Sequence, residues 1–314
     1  MKKNWLIRLA FYIAVITLQQ NTFAQDSTRI RISLLTCSPG NELYSTFGHS
    51  ALRVIDSNAV TDLIYNYGTF NFDDPNFYEK FVRGKLLYAL SIENPEDFLY
   101  SYQAENRSIT EQVLNITQQE ALSIKHFLAQ NIKEENRWYK YDFVRDNCTT
   151  RLRDILVKYK NIKPQLPPVM PLDFTFRNAI HHYLNANKNY WSKLGIDLLL
   201  GSRMDVKMTA AGQEFLPDNL MYALDRTKNF TYVIKKQDLY KAPAQNSAAK
   251  WFTPLLLFSF IAILWLAASF TKNKVVQKIL PWLDGILFFI TGLLGRLFFF
   301  MWWGRGHWWR VGCC

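Results

Sequence analysis

Two side chains in this sequence are of types that together do covalent chemistry, a cysteine and a histidine well upstream of it. Cys148 stands in Tyr141-Asp142-Phe143-Val144-Arg145-Asp146-Asn147-Cys148-Thr149-Thr150-Arg151, and His49 in Phe47-Gly48-His49-Ser50. After Cys148, Leu152, Ile155 and Leu156 recur at three- and four-residue spacing, and Asp146 or Asn147 occupies the place of an N-cap. The spacing predicts a helix with the thiol in its first turn. There the unpaired backbone N–H groups and the positive end of the helix dipole favour thiolate over thiol. An imidazole within reach would take the proton, so Cys148 is the candidate nucleophile and His49 its base. A lone cysteine at a helix start is also a common small buried apolar residue. Catalysis is indicated by the Asn-Cys-Thr-Thr run taken together with a histidine at the mouth of a strand.

The remaining site residues follow from what such a pair needs. The backbone N–H of Cys148, with Asn147 or Thr149 beside it, is expected to hold an oxyanion. A third polar group should orient the imidazole; Asn66 on the partner strand is the candidate and Asp56 the second choice, though both residue types also serve in turns. Tyr141, Asp142 and Arg53 are assigned to positioning, and buried ion pairs without chemistry would explain them equally. His181 and His182 are adjacent in a helical pattern and point in different directions, so at most one faces a ligand. No Cys/His cluster has zinc-site spacing, so neither a metal nor a cofactor is expected. Cys37 reads as a buried free thiol; a disulfide to Cys148 is the alternative and would silence the nucleophile.

The elements that must position these residues form an α+β domain. Strands are expected over 29–35, 51–55, 63–67, 86–92 and 108–114, with a hairpin turn at Asp56-Ser57-Asn58 and His49 at a strand entrance. A short helix through Phe77, Tyr78 and Phe81, a helix over 95–103, and an amphipathic helix opened by the Thr117-to-Glu120 capping box fall between them. The four prolines of 163–171 break the chain before helical patterns at 174–184, 190–200 and 211–224. These form either a helical flap over the site or an extension of the core.

Composition places the domain outside the cytoplasm. Residues 1–24 read as a secretory signal, with Lys2, Lys3 and Arg8 before an apolar run and Thr22-Phe23-Ala24 at the cleavage positions. The formal charge of +11 falls to about +8 without that segment, which points to anionic lipid surfaces before nucleic acid. A catalytic domain over 25–240 and a linker over 241–251 lead to uncharged apolar runs at 252–270 and 279–303, read as two transmembrane helices. The loop between them, 271–278, carries Lys272, Lys274 and Lys278 with no acid and belongs on the cytoplasmic side, leaving the catalytic domain in the periplasm. Asp284 and Arg296 inside the second run are expected to be paired, to face protein or to snorkel. Trp302, Trp303, Trp308 and Trp309 read as an interfacial belt.

Leu34-Leu35-Thr36-Cys37-Ser38-Pro39-Gly40, Tyr44 to Val54, Tyr65-Asn66-Tyr67-Gly68, Tyr141-Asp142-Phe143 and Asp146 to Arg151 together resemble the Lnb N-terminal periplasmic domain, over about residues 28 to 235. The resemblance implies a lipoprotein N-acyltransferase of Gram-negative envelopes with its nucleophile at Cys148 and its base at His49. It also implies a fold similar to the permuted papain-like domains of NlpC/P60 and lecithin:retinol acyltransferase relatives, followed by the two membrane helices. The implied partners are a phospholipid acyl donor, a diacylated lipoprotein acceptor and the inner membrane, with no nucleic acid; the oligomeric state is not encoded legibly. Against that family the tail 304–314 reads as truncated, with His307 a displaced remnant or an accident. Two other functions fit the same residues: a membrane-tethered cysteine amidase or endopeptidase acting on peptidoglycan, and a non-enzymatic periplasmic binding or scaffold module.

Overall fold

The computed structural model describes residues 30–70, 80, 86–243 and 251–306. The signal expected over 1–24, the short helix through Phe77, Tyr78 and Phe81, and the tail from His307 lie outside the described residues. Strands β1 (Ile30–Cys37), β2 (His49–Asp56), β3 (Thr61–Thr69), β4 (Leu87–Glu93), β5 (Ile109–Leu114), β6 (Trp138–Lys140) and β7 (Val233–Tyr240) form one antiparallel sheet in the order β6-β4-β3-β2-β1-β5-β7. In β1, Ile32 and Leu34 point to one face and Leu35 and Cys37 to the other, and all four are buried. The sheet therefore has helices on both sides. Helix α1 (Pro95–Ala104) covers the Leu35, Cys37, Ala51 and Ile64 face through Phe98. On the other face α2 (Gln118–Asn131), α4 (Cys148–Lys158) and α8 (Pro217–Asp225) bring Ile124, Leu128, Leu152, Leu156 and Leu220 onto Leu34, Leu52, Val54 and Tyr67. The one-turn helix α3 (Glu134–Arg137) precedes β6.

A second cluster holds the helical region after the proline-rich breaker. Helix α5 (Phe176–Ala186) sets Ala179, Ile180, Tyr183 and Leu184 against Met204, Met208, Phe215, Leu216, Phe47 and Val144. Phe47 lies two residues before His49 and Val144 four before Cys148, so this cluster clamps both loops that lead to them and extends the core. Helix α6 (Tyr190–Leu200) follows. The single helix expected over 211–224 is two helices, α7 (Ala210–Gln213) and α8, because Pro217 has no N–H to continue the first and sits at the start of the second.

The membrane-directed part contains α9 (Pro254–Phe270), 17 residues, and α10 (Lys274–Gly306), 33 residues. By length and composition one helix among the described residues, over Lys274–Phe299, is long enough to cross a bilayer, while the apolar α9 is shorter. The connection expected over 271–278 is only 271–273, because Asn273 accepts from the Val275 N–H and starts α10 there. Asp284 accepts from the Trp265 Nε1–H at 2.7 Å, which joins the two helices. The Trp191 Nε1–H donates to the Phe252 carbonyl at 3.0 Å and its ring packs on Phe252 and Phe258, tying α6 to the start of α9.

Candidate active site

Cys148 is the first residue of α4 because Asn147 stops the extended chain and caps the helix. The Asn147 Oδ1 accepts from the Thr150 N–H at 2.8 Å while the Asn147 N–H donates to the Thr150 hydroxyl, a reciprocal capping box. The Asn147 amide group donates to the carbonyls of Phe143 and Phe215 at 2.8 and 2.9 Å. With both ends of the amide engaged, Asn147 positions the thiol and has no donor left for an oxyanion. Asp142 forms the turn before it, its Oδ1 accepting from the N–H groups of Val144 and Arg145.

His49 opens β2, register-paired with Cys37, and the left-handed Gly48 before it (φ +80°) turns the chain into the strand. A Cβ at Gly48 would lie 2.6 Å from the Cys37 carbonyl oxygen, so only glycine allows the turn. The imidazole hydrogen-bonds the Cys148 thiol on one side, and its Nε2 lies 3.2 Å from the Asn66 Oδ1 on the other. Asn66 is 4 % exposed and its Nδ2 donates to the Glu93 carboxylate at 2.6 Å. That bond decides the chemistry of the ring. A carboxylate only accepts, so it holds the Asn66 amide with its oxygen toward His49; an oxygen there requires hydrogen on Nε2; and Nδ1 keeps the lone pair that faces the thiol proton.

Electrostatics agree with that geometry. Burial pushes the Cys148 thiol up, but the His49 charge, hydrogen bonds from His49 and the Ser50 backbone N–H, and the Thr149 hydroxyl bring it down to about 7. Burial pushes His49 down, and the facing Cys148 with the Cys148 and Asn66 hydrogen bonds overrides this and leaves it raised. The arrangement favours a thiolate–imidazolium pair near neutrality. Thr149 Oγ1 lies 3.8 Å from the sulfur and 3.1 Å from the Ser50 hydroxyl, fixing α4 to β2. Cys37 and Cys148 are both free, and burial pushes the Cys37 thiol up to about 12, which leaves it unreactive.

The other expected residues are placed as follows. Asp56 ends β2 at the far side from His49 and pairs with Lys125, so it does not reach the imidazole. Arg53 pairs with Asp62 at 2.6 Å and with the buried Glu111, bracing three strands away from the thiol. Tyr141 stacks on Tyr88 at 4.4 Å beside Gly68, near the sulfur. His181 is bound to Asp197, which also takes Arg177. Glu93, the Ser50 N–H and Gly68 were not legible as site residues. The acid at the end of an apolar strand was the one available signal, and only the β3–β4 register puts Glu93 beside Asn66.

Residues 18–180 match the Lnb N-terminal periplasmic domain and residues 245–308 the Lnb transmembrane domain. The chain belongs to the Lnb family. It is therefore a membrane protein with a periplasmic domain, and the Cys148–His49–Asn66–Glu93 chain lies within the matched periplasmic segment. Comparison with curated proteins and comparison with solved structures return no match.

Proposed function

We propose that this Lnb family member is a lipoprotein N-acyltransferase of the inner membrane, its catalytic domain in the periplasm and α9 and α10 both spanning the bilayer with the short Lys272-to-Lys274 side inward. The observation that carries the reading is a thiol held at about 7 by a tautomer-fixed imidazole at a helix N-terminus, in a domain joined through Trp191 to membrane helices. The histidine strand preceding the cysteine helix is the order of a permuted papain-like domain, which supports the same chemistry. The Cys148 thiolate attacks an ester carbonyl of a phospholipid; the Sγ–C bond forms, the C–O bond to glycerol breaks, and the leaving alkoxide takes the proton from His49 as lysophospholipid departs. The α-amine of a diacylglyceryl-cysteine lipoprotein then attacks the thioester, giving the amide and returning the thiol. Cys148 is 8 % exposed, which favours an amine held in place over free water as the acceptor.

Intact mass of the detergent-solubilised protein after incubation with phospholipid vesicles tests this. The expected result is an acyl adduct that hydroxylamine removes, that Cys148→Ala lacks and that His49→Ala forms at a greatly reduced rate, with the acyl group passing to a diacylated lipopeptide. Cleavage of peptidoglycan stem peptides with no adduct would replace the acyltransferase by the amidase.

A further inference from the structure

Tyr139, in β6, is 7 % exposed, and its hydroxyl is a buried polar atom with no hydrogen-bond partner among the described residues. An unpartnered buried hydroxyl costs stability unless something uses it. Its surroundings indicate what. A Cβ placed on Gly68 would lie 3.7 Å from the Cys148 Cβ, 3.7 Å from the Tyr141 Cε2 and 4.0 Å from the Tyr139 Oη, so these side chains ring one small space that glycine leaves free. Gly68 is half-exposed and sits at a bulge of β3 with φ +94°, which opens that space toward the surface. A separate cleft of about 470 Å³, bordered by Tyr67, Arg151 and Tyr159, runs beside α4 and reaches neither Cys148 nor His49.

The ring cannot wander. The Arg151 guanidinium lies 3.5 Å over it and is itself held by both oxygens of Asp146 at 2.6 and 2.8 Å, while Tyr67 packs edge-on at 6.1 Å. Burial holds the phenol above its ordinary value, so the hydroxyl stays a neutral donor.

We propose that Tyr139 is a catalytic residue: its hydroxyl and the Cys148 backbone N–H are the two donors that hold the oxyanion formed when the thiolate adds to a carbonyl. The proposal rests on Cys148 attacking a carbonyl, as in the acyl-transfer reading. When the Sγ–C bond forms, the π pair of the C=O moves onto oxygen in the Gly68 space; Tyr139 donates a hydrogen bond without giving up its proton; collapse restores the C=O and expels the alkoxide, which takes the proton from His49. The Cys148 N–H is a first-turn group with no intrahelical acceptor, so it is the natural second donor. Asn147, expected to help, is fully engaged elsewhere, while the Tyr139 hydroxyl keeps an uncommitted donor at the edge of the Gly68 space.

The experiment compares two reactions of Cys148 in the full-length protein in detergent: acylation by a p-nitrophenyl ester, which passes through an oxyanion, and alkylation by iodoacetamide, which does not. Tyr139→Phe keeps the ring under Arg151. It is expected to slow acylation about 100-fold while leaving the alkylation rate, its pH profile and the melting temperature undiminished. Acylation of Tyr139→Phe within threefold of the parent rate overturns the proposal, as does an equal fall in both reactions, which would make the tyrosine structural. A parent protein that is alkylated but never acylated overturns the acyl-transfer reading and the proposal with it.

Discussion

The Cys148 thiol and the His49 ring are set by their neighbours in the fold. With the thiol at about 7, iodoacetamide labelling should rise through that pH, and at pH 6 run about tenfold below its plateau. In His49→Ala burial is left opposed by the Ser50 and Thr149 hydrogen bonds without the imidazole, so the labelling midpoint should move up. An unchanged profile would remove His49 from the pair. Glu93 acts one step further out, through the Asn66 amide. Glu93→Ala frees that amide to turn its nitrogen toward Nε2, and the labelling midpoint should rise; Glu93→Gln retains an acceptor oxygen and should restore the parent profile. A rise in the glutamine variant equal to that in alanine would show that charge, and not orientation, is what Glu93 contributes.

At the scale of elements, the position of the thiol depends on how α4 begins. Asn147 satisfies the Thr150 N–H and the carbonyls of Phe143 and Phe215, the last from the helical region that follows. Asn147→Ala removes a cap and strips buried carbonyls of their donors, a loss of about 2 kcal/mol in denaturant unfolding. A loss under about half of that would mean the loop relaxes without it. Leu152, fully buried one turn after the cap, fixes α4 on the sheet. The capping box of α2 and the boundaries of α1 were legible because caps and prolines act locally. Strands β6 and β7 were not, since β6 has three residues and β7 is a largely exposed edge, Val-Ile-Lys-Lys-Gln-Asp-Leu-Tyr, that becomes a strand only by pairing with β5.

Across the whole molecule, the helical region carries a buried acid with a pH signature. Glu214, 2 % exposed, is pushed up to about 7 by burial, with Arg153 opposing and Asp154 assisting. Between its unfolded value near 4.5 and about 7, the folded chain holds a proton that the unfolded chain has lost, so stability falls as pH rises across that window. Glu214→Gln should therefore raise the melting temperature at pH 8, by the equivalent of up to about 3 kcal/mol, and give no gain at pH 4. A gain equal at both pH values would show that the side chain's charge is not the cause. The same region joins the site to the membrane part, with Phe47 and Val144 packed under α5 and Trp191 of α6 on Phe252.

The sequence by itself placed Cys148 at a helix start and His49 at a strand entrance and marked the apolar runs, because caps, strand alternation and apolar runs declare themselves within a few residues. Asn66 was reachable from hairpin pairing, which is nearly local. Glu93, the Ser50 N–H and the Tyr139 hydroxyl were decided by tertiary structure alone. Each lies on a different strand from His49 or meets the sulfur only across a helix–sheet contact, and a register shift of one residue would turn any of the strand side chains to the opposite face. The residue types carry the chemistry; the register of the sheet decides which of them share it.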